Sequence, residues 1–271
     1  MSRFCMAPLA PAGGAPPVRD TISFMNVREI TAKSILSRSQ VYDYALNPYV
    51  GCQHDCLYCY ARFMKRFTGH REPWGQFVDV KINASELLAT EVKRKKVGRV
   101  WISGVCDAYQ PLEKRYQITM RCLNILVENK WPFTIQTKSP LVLRDIETLK
   151  KATDAEVGFT ITTGDEKIRA IFEPGAPPVR ERIEALARLH AEGIRTFAMI
   201  APILPGADVL PGELAEKVDH VLLDRLNYHY ADRVYKQHGM QWAREEGFFL
   251  QKGKELRAAF ERAGIPCQIL F

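Results

Sequence analysis

Three cysteines fall within eight residues of this chain, Cys52, Cys56 and Cys59, in the segment NPYVGCQHDCLYCYARF. Thiolate is the ligand of iron–sulfur clusters and of structural zinc, so three thiols in one short segment point to one of the two. A cubane cluster has four irons, and three cysteines leave one iron open to a small molecule that offers nitrogen and oxygen. The spacing i, i+4, i+7 also describes one face of a helix, which would make the cysteines packing residues. Pro48 and Gly51 ahead of them, and polar Gln53, His54 and Asp55 in the first gap, suit a loop instead. Zinc is the sharper rival, since His54 or His70 would complete a Cys3His set. Cys-x3-Cys-x2-Cys is not a usual zinc spacing, however, and no second Cys-x2-Cys pair exists in the chain.

The elements that must position this loop alternate in type. The pattern predicts helices over 85–96, 113–129, 142–152, 179–191 and near 212–218, with strands over 99–104, 133–137, 157–162, 196–200 and 220–226. About six such βα units imply a parallel sheet covered by crossover helices, in a barrel or an open sheet. The unusual residues, GCQHDCLYCY, SGVCDAYQP, TKSP, TTGDE and APILPG, follow the predicted strands, at the edge where both architectures build sites.

The 271 residues, 46% hydrophobic and 25% charged, suit one soluble globular domain, expected over 28–271 with an extension from about 227. Residues 1–27 read as a flexible arm whose prolines break any signal-peptide core, and no apolar run reaches the roughly 18 residues of a membrane span. The cytoplasm follows, with no membrane partner. Cys5, Cys106, Cys122 and Cys267 are scattered and read as buried thiols. The net charge of +7, with basic clusters at Lys65-Arg66, 93–99 and Lys150-Lys151, makes nucleic acid a candidate substrate, although 93–99 also suits a solvated helix C-terminus.

Cys-x3-Cys-x2-Cys with Tyr58 before the third cysteine resembles the signature of the radical S-adenosylmethionine enzymes. NPYVGCQHDCLYCYAR, VWISGVCDAYQPLE, TKSPLVLRD, FTITTGDE, IFEPGAPPVRERIEAL and MIAPILPG together resemble the branch related to spore photoproduct lyase, in the family's order. The resemblance implies a partial (β/α)6 TIM-like barrel of α/β class, a 4Fe-4S cluster on Cys52, Cys56 and Cys59, and S-adenosyl-L-methionine chelated by the open iron. It also implies an electron donor such as flavodoxin or ferredoxin.

Further roles come from the same resemblance. Tyr58 lies by the adenine, and Gly104 to Asp107 take the place that holds the methionine amino group. Lys138 reaches the cofactor carboxylate, Thr160 matches a serine near the cofactor, and Met199 and Ala201 belong to the strand that lines the adenine. Plain strand-end or packing roles are the alternatives at Gly104, Lys138, Thr160 and Met199. Glu173 and Arg182 match a recurring pair best read as a structural ion pair. Cys106, assisted by Tyr60, is a candidate hydrogen-atom donor. The branch's donor cysteine falls on Gly104, and alternate strand residues share a face, so a thiol at 106 would reach the same side. A buried inert thiol is the alternative. A radical enzyme of unnamed substrate is thus the leading reading, beside a thymine-dimer lyase and a non-catalytic metal-binding module that docks on nucleic acid.

Overall fold

The computed structural model describes residues 25–271. Asn26–Ile30 forms β1, Leu36–Arg38 β2 and Tyr44–Leu46 β3, with β2 antiparallel to β3. Tyr49–Val50, β4, then leaves the main sheet and pairs antiparallel with Phe77–Lys81, β5. β5 also pairs in parallel with β1, which completes a small sheet in the order β1-β5-β4. The expected arm lies outside the described residues as far as residue 24, and its limit at 27 falls inside β1. NVREI escaped notice because it is almost wholly exposed and carries no apolar alternation.

The chain then alternates through α1 (Ala84–Arg94), β6 (Val100–Ile102), α2 (Glu113–Tyr116), α3 (Ile118–Glu128), β7 (Phe133–Thr137), α4 (Ile146–Leu149), β8 (Ala155–Thr160), α5 (Glu166–Phe172), α6 (Val179–Ala191), β9 (Arg195–Ile200), α7 (Leu210–Glu213) and β10 (His220–Leu223). It closes with α8 (Asp232–Gln237), α9 (Glu246–Arg262) and β11 (Cys267–Ile269). The main sheet runs β11-β10-β9-β8-β7-β6-β3-β2, and every pair from β3 to β11 is parallel. β3 and β6 to β10 are the six strands of the expected partial barrel; β11, from the C-terminal extension, adds another.

These strands are short and apolar because they are buried on both faces. Val100, Ile102, Phe133, Ile135, Val157, Phe159, Val221 and Leu223 are all fully buried. Each such side chain contributes about 1.5–3 kcal/mol relative to exposure. α3 covers them with Ile118, Cys122, Leu123 and Leu126, so Cys122 is a packing thiol, as expected.

The continuous helix predicted over 113–129 is two helices. Gln117, at φ 52°, breaks it, and the buried Glu113 carboxylate caps the second by accepting from Thr119 N at 3.1 Å and Met120 N at 3.2 Å. The first part of the helix predicted over 142–152 belongs instead to a 3-10 turn over Pro140–Asp145, and α7 is shorter than expected. Among the described residues no helix is long and apolar enough to cross a membrane.

Candidate active site

The cysteine segment leaves β3 through Asn47 and β4 and is held as a loop of turns, so the helix-face reading of its spacing does not apply. Gly51 makes the first bend at φ 91°, where a Cβ would stand 2.3 Å from the Phe77 carbonyl oxygen; only glycine fits. Gln110, after β6, braces the next residue: its Nε2 donates to Gly51 O at 3.3 Å and its Oε1 accepts from Gln53 N at 3.0 Å. The segment after α5 supports the other side. Leu57 N donates to Phe172 O at 2.8 Å, Gly175 N donates to His54 O at 3.0 Å, and His54 Nδ1 lies 3.2 Å from Gly175 O. A Cβ on Gly175 would stand 2.3 Å from Gln53 O, so backbone meets backbone there.

Cys52 and Cys56 are buried and Cys59 half-buried. Burial pushes the thiols up, Cys56 to about 12, and neighbouring thiols of the loop add to this at Cys52 and Cys56. Loading a metal there must therefore expel protons and supply positive charge. Cys52 and Cys59 share an apolar cluster with Trp74, whose buried Nε1 makes no well-formed hydrogen bond yet lies close enough to the Cys59 sulfur to favour its thiolate. A buried N–H of that kind beside two sulfurs fits a sulfur-rich group that accepts from it.

A Cys3His zinc site fits poorly. His54 Nε2 is 3.1 Å from Asp107 Oδ2, so both of its nitrogens are engaged. His70 faces Asp79 at 2.8 Å and Glu72 at 3.2 Å, and stacks on Phe77. Among the described residues no three His, Cys, Asp or Glu side chains gather tightly enough to hold one metal ion. A tetrahedral zinc would need such a gathering, with sulfur about 2.3 Å from the metal.

Beside the cysteines lies a buried charge network. Glu173, fully buried, pairs with Arg182 Nη1 at 2.5 Å and with Lys138 Nζ at 3.8 Å. It accepts from Thr162 Oγ1 at 3.1 Å and from the Tyr58 hydroxyl. Arg182, also fully buried, donates to Pro177 O at 2.8 Å and to Thr160 O at 3.1 Å. Burial alone would raise the Glu173 carboxyl, but Arg182 and Lys138 outweigh it and hold it below its ordinary range. Burial works against the Lys138 ammonium too, and its neighbours Cys56 and Glu173 together overcome it. Lys138 also lies 5.6 Å from the Tyr58 ring centroid. The structure thus brings Cys56, Tyr58, Lys138 and Glu173 together, and the Glu173–Arg182 ion pair is the scaffold behind them.

Asp107 is a clamp. Its two oxygens accept from Tyr109 N at 2.8 Å, Thr137 Oγ1 at 2.7 Å and Lys138 N at 2.8 Å, and face His54 Nε2. These fill its acceptor capacity and join the cysteine loop, the β6 end and the β7 end. Burial pushes the carboxyl up, and His54 with the hydrogen bonds more than reverses this, to about 2.

The alternation argument for residues 104 and 106 does not hold, because β6 ends at Ile102 and Ser103 turns the chain at φ 79°. Asn47 takes over the positioning: its Oδ1 accepts from Val105 N at 2.9 Å and lies 3.9 Å from Cys106 Sγ. Burial pushes the Cys106 thiol up to about 12. Tyr60 donates through its hydroxyl to Gly104 O. Thr160 ends β8, where its Oγ1 accepts from Gln136 Nε2 at 3.1 Å, and it pairs in register with Met199 on β9. Ala201 lies just past β9, half-buried like Met199.

Sequence reasoning missed Asn47, Trp74, Gln110 and Gly175. Asn47, Gln110 and Gly175 all lie in the quoted blocks, so the signal was present without a role attached. Trp74, distant in sequence, carried none.

The sequence matches the family model of the Radical SAM superfamily over residues 46–222. It is 37% identical over 186 residues to an uncharacterised protein of Methanocaldococcus jannaschii, covering 68% of this chain and 70% of the relative. It is 24% identical over 161 residues to a radical SAM Nalpha-GlyT isomerase of Pseudomonas phage M6, covering 59% of this chain and 33% of that one. Among solved structures it is similar in fold to spore photoproduct lyase complexed with dinucleoside spore photoproduct, with a TM-score of 0.66, 14% identity, and coverage of 96% of this chain and 88% of that one.

Proposed function

The chain belongs to the radical SAM superfamily, and on that premise we propose that it cleaves S-adenosylmethionine reductively at a 4Fe-4S cluster to start radical chemistry on a further substrate. The carrying observation is the loop of Cys52, Cys56 and Cys59, three thiols with no fourth cysteine in the loop, beside the largely buried ammonium of Lys138. Cys52, Cys56 and Cys59 would hold the cluster. When bound, it supplies the electron that breaks a sulfonium C–S bond of S-adenosylmethionine and leaves methionine and a 5'-deoxyadenosyl radical.

The chain's own residues bind, orient and exclude water. Lys138 offers its ammonium to the carboxylate of the cofactor. It is held charged by Glu173, which is held charged in turn by Arg182. Tyr58, fixed by its hydroxyl on Glu173, presents ring and backbone beside the third cysteine for the adenine. Thr160, Met199 and Ala201 line the far side, on the ends of β8 and β9. Gly104 follows the β6 end, where the methionine amino group of the cofactor would be held, and Asp107 orients the loops there.

Cys106 stays an S–H at neutral pH because of its burial, and an S–H is the form that gives up a hydrogen atom. It would return that atom to the substrate-derived radical, with Tyr60 at its flank, leaving a Cys106 thiyl radical that one electron from the reducing partner and a proton restore to the thiol. A small electron-transfer protein, ferredoxin or flavodoxin in type, would supply the reducing electron.

The test is anaerobic reconstitution with iron and sulfide, then dithionite reduction in the presence of S-adenosylmethionine. The expected result is a brown protein that releases 5'-deoxyadenosine. A colourless protein with tightly held zinc and no 5'-deoxyadenosine would overturn the reading. For Cys106, a Cys106→Ala variant with unchanged products and turnover removes the donor role.

A further inference from the structure

The mouth of the barrel beside Tyr60 carries a run of aromatic rings that the chemistry above does not use. The Tyr60 and Tyr228 rings lie 6.1 Å apart at 20°, and those of Tyr228 and Tyr230 5.9 Å apart at 10°. Tyr228 and Tyr230 come from the loop after β10 and are 45% and 42% exposed, a large area of flat ring to leave in water. Phe63 continues the run on the other side of Tyr60, at 6.5 Å and 25°.

Basic residues interleave with these rings. Arg62 sits 5.7 Å from the Tyr230 centroid, and Arg66 lies 5.5 Å from that of Phe63 and 4.6 Å from that of Phe67. Arg62, Phe63, Lys65, Arg66 and Tyr230 line a cleft of about 570 Å³. Arg62 donates to Cys56 O and Lys65 to Arg71 O; among the described residues neither they nor Arg66 pair with a carboxylate. Near-parallel exposed rings with unpaired cations between them suit a polyanion that carries its own flat rings. An acidic peptide would use the cations and leave the rings idle. A closed duplex would hide its base faces.

We infer that Tyr60, Tyr228 and Tyr230, with Arg62, Lys65 and Arg66, form a track that binds single-stranded or locally unpaired nucleic acid and leads its bases toward Cys59 and Cys106, which neighbour Tyr60. This names the substrate class of the radical site and so rests on the function proposed above. Stacking holds bases at the exposed rings, the guanidinium and ammonium groups neutralise backbone phosphates, and Tyr60, bonded to Gly104 O, is where the track meets the cysteine loop.

The test is fluorescence anisotropy on the anaerobically reconstituted protein, with a labelled DNA single strand of about 16 nucleotides, at the upper end of common single-strand site sizes. Tyr228→Ala and Tyr230→Ala should each weaken binding about tenfold, and Tyr230→Phe should retain it. Arg66→Gln should lower the salt dependence by about one counterion. Trp242→Ala, an exposed aromatic outside the track, should change nothing. Unchanged affinity in both tyrosine-to-alanine variants, equal or tighter binding of the matching duplex, or equal competition by polyglutamate overturns the inference. Release of 5'-deoxyadenosine is read on the same preparation. Release without strand binding sinks the track alone. Strand binding without release upholds the track and sinks the radical reading.

Discussion

Replacing Arg182 by methionine keeps most of the side-chain volume and removes the guanidinium from a site where both partners are fully buried. The variant leaves the Glu173 carboxylate with two hydroxyl donors and an ammonium 3.8 Å away. Breaking a buried pair from one side costs about 3–5 kcal/mol, and Lys138 keeps part of the compensation, which places the loss near the lower end, about 3 kcal/mol. That is a large share of a total stability of about 5–15 kcal/mol. Urea unfolding of the reduced apoprotein reads it as a fall in midpoint of roughly 1 M at a slope of about 3 kcal/mol/M.

The pH dependence carries a sign. In the parent, Arg182 and Lys138 depress the Glu173 carboxyl; in the variant, burial dominates and raises it. The deficit is therefore full above the raised value and shrinks as pH falls toward the usual glutamate range of about 4. Pairing Arg182→Met with Glu173→Gln removes the orphaned charge and should recover most of the loss. A single variant that loses under about 1 kcal/mol, or a double variant as unstable as the single, refutes the account.

Three further outcomes follow from the same geometry. Gly175→Ala drives a methyl into Gln53 O and should cost about 1–3 kcal/mol and lower the iron retained after reconstitution, measured by iron assay on the desalted protein. Asp107, depressed to about 2 from 3.8, contributes stability that is complete above pH 3.8 and lost as pH falls toward 2. Its share is about 2 kcal/mol, so Asp107→Asn should flatten that limb of an acid titration followed by circular dichroism. Trp74→Phe keeps the packing and removes the buried N–H beside Cys52 and Cys59, and should lower the cluster's reduction potential in an EPR-monitored titration; an unchanged potential excludes the hydrogen bond.

Much of this was legible in residue order. β7 and α6 match their predicted bounds because Phe133–Thr137 and Val179–Ala191 are strongly patterned and cleanly punctuated. The cysteine loop was legible because proline, glycine and polar residues contradicted a packed helix. What stayed hidden depended on distance in three dimensions. β5 was invisible because FVDVK belongs to a second sheet whose partners, β1 and β4, are each too short or too polar to signal it. α9, with Phe249, Gly253, Leu256 and Phe260 buried at helical spacing, was passed over as a mere extension. Asp107 was assigned to ligand contact through the resemblance, which covers 104–107 as a block; its four partners, all distant in sequence or set by the local turn, were not readable from residue order. The bend at Ser103 had no sequence signal, since a non-glycine residue at positive φ is rarely expected there.

The bracing of the cysteine loop bears on how the protein ages. Gln110, His54, Asp107 and the Gly175 backbone fix the loop through bonds that involve no sulfur atom. A shell that is already ordered surrenders little chain freedom when iron arrives and keeps its shape when oxygen strips the iron away. Should the proposed cluster be lost while its cysteines stay reduced, the emptied loop would keep its shape and could be refilled without passing through an unfolded state.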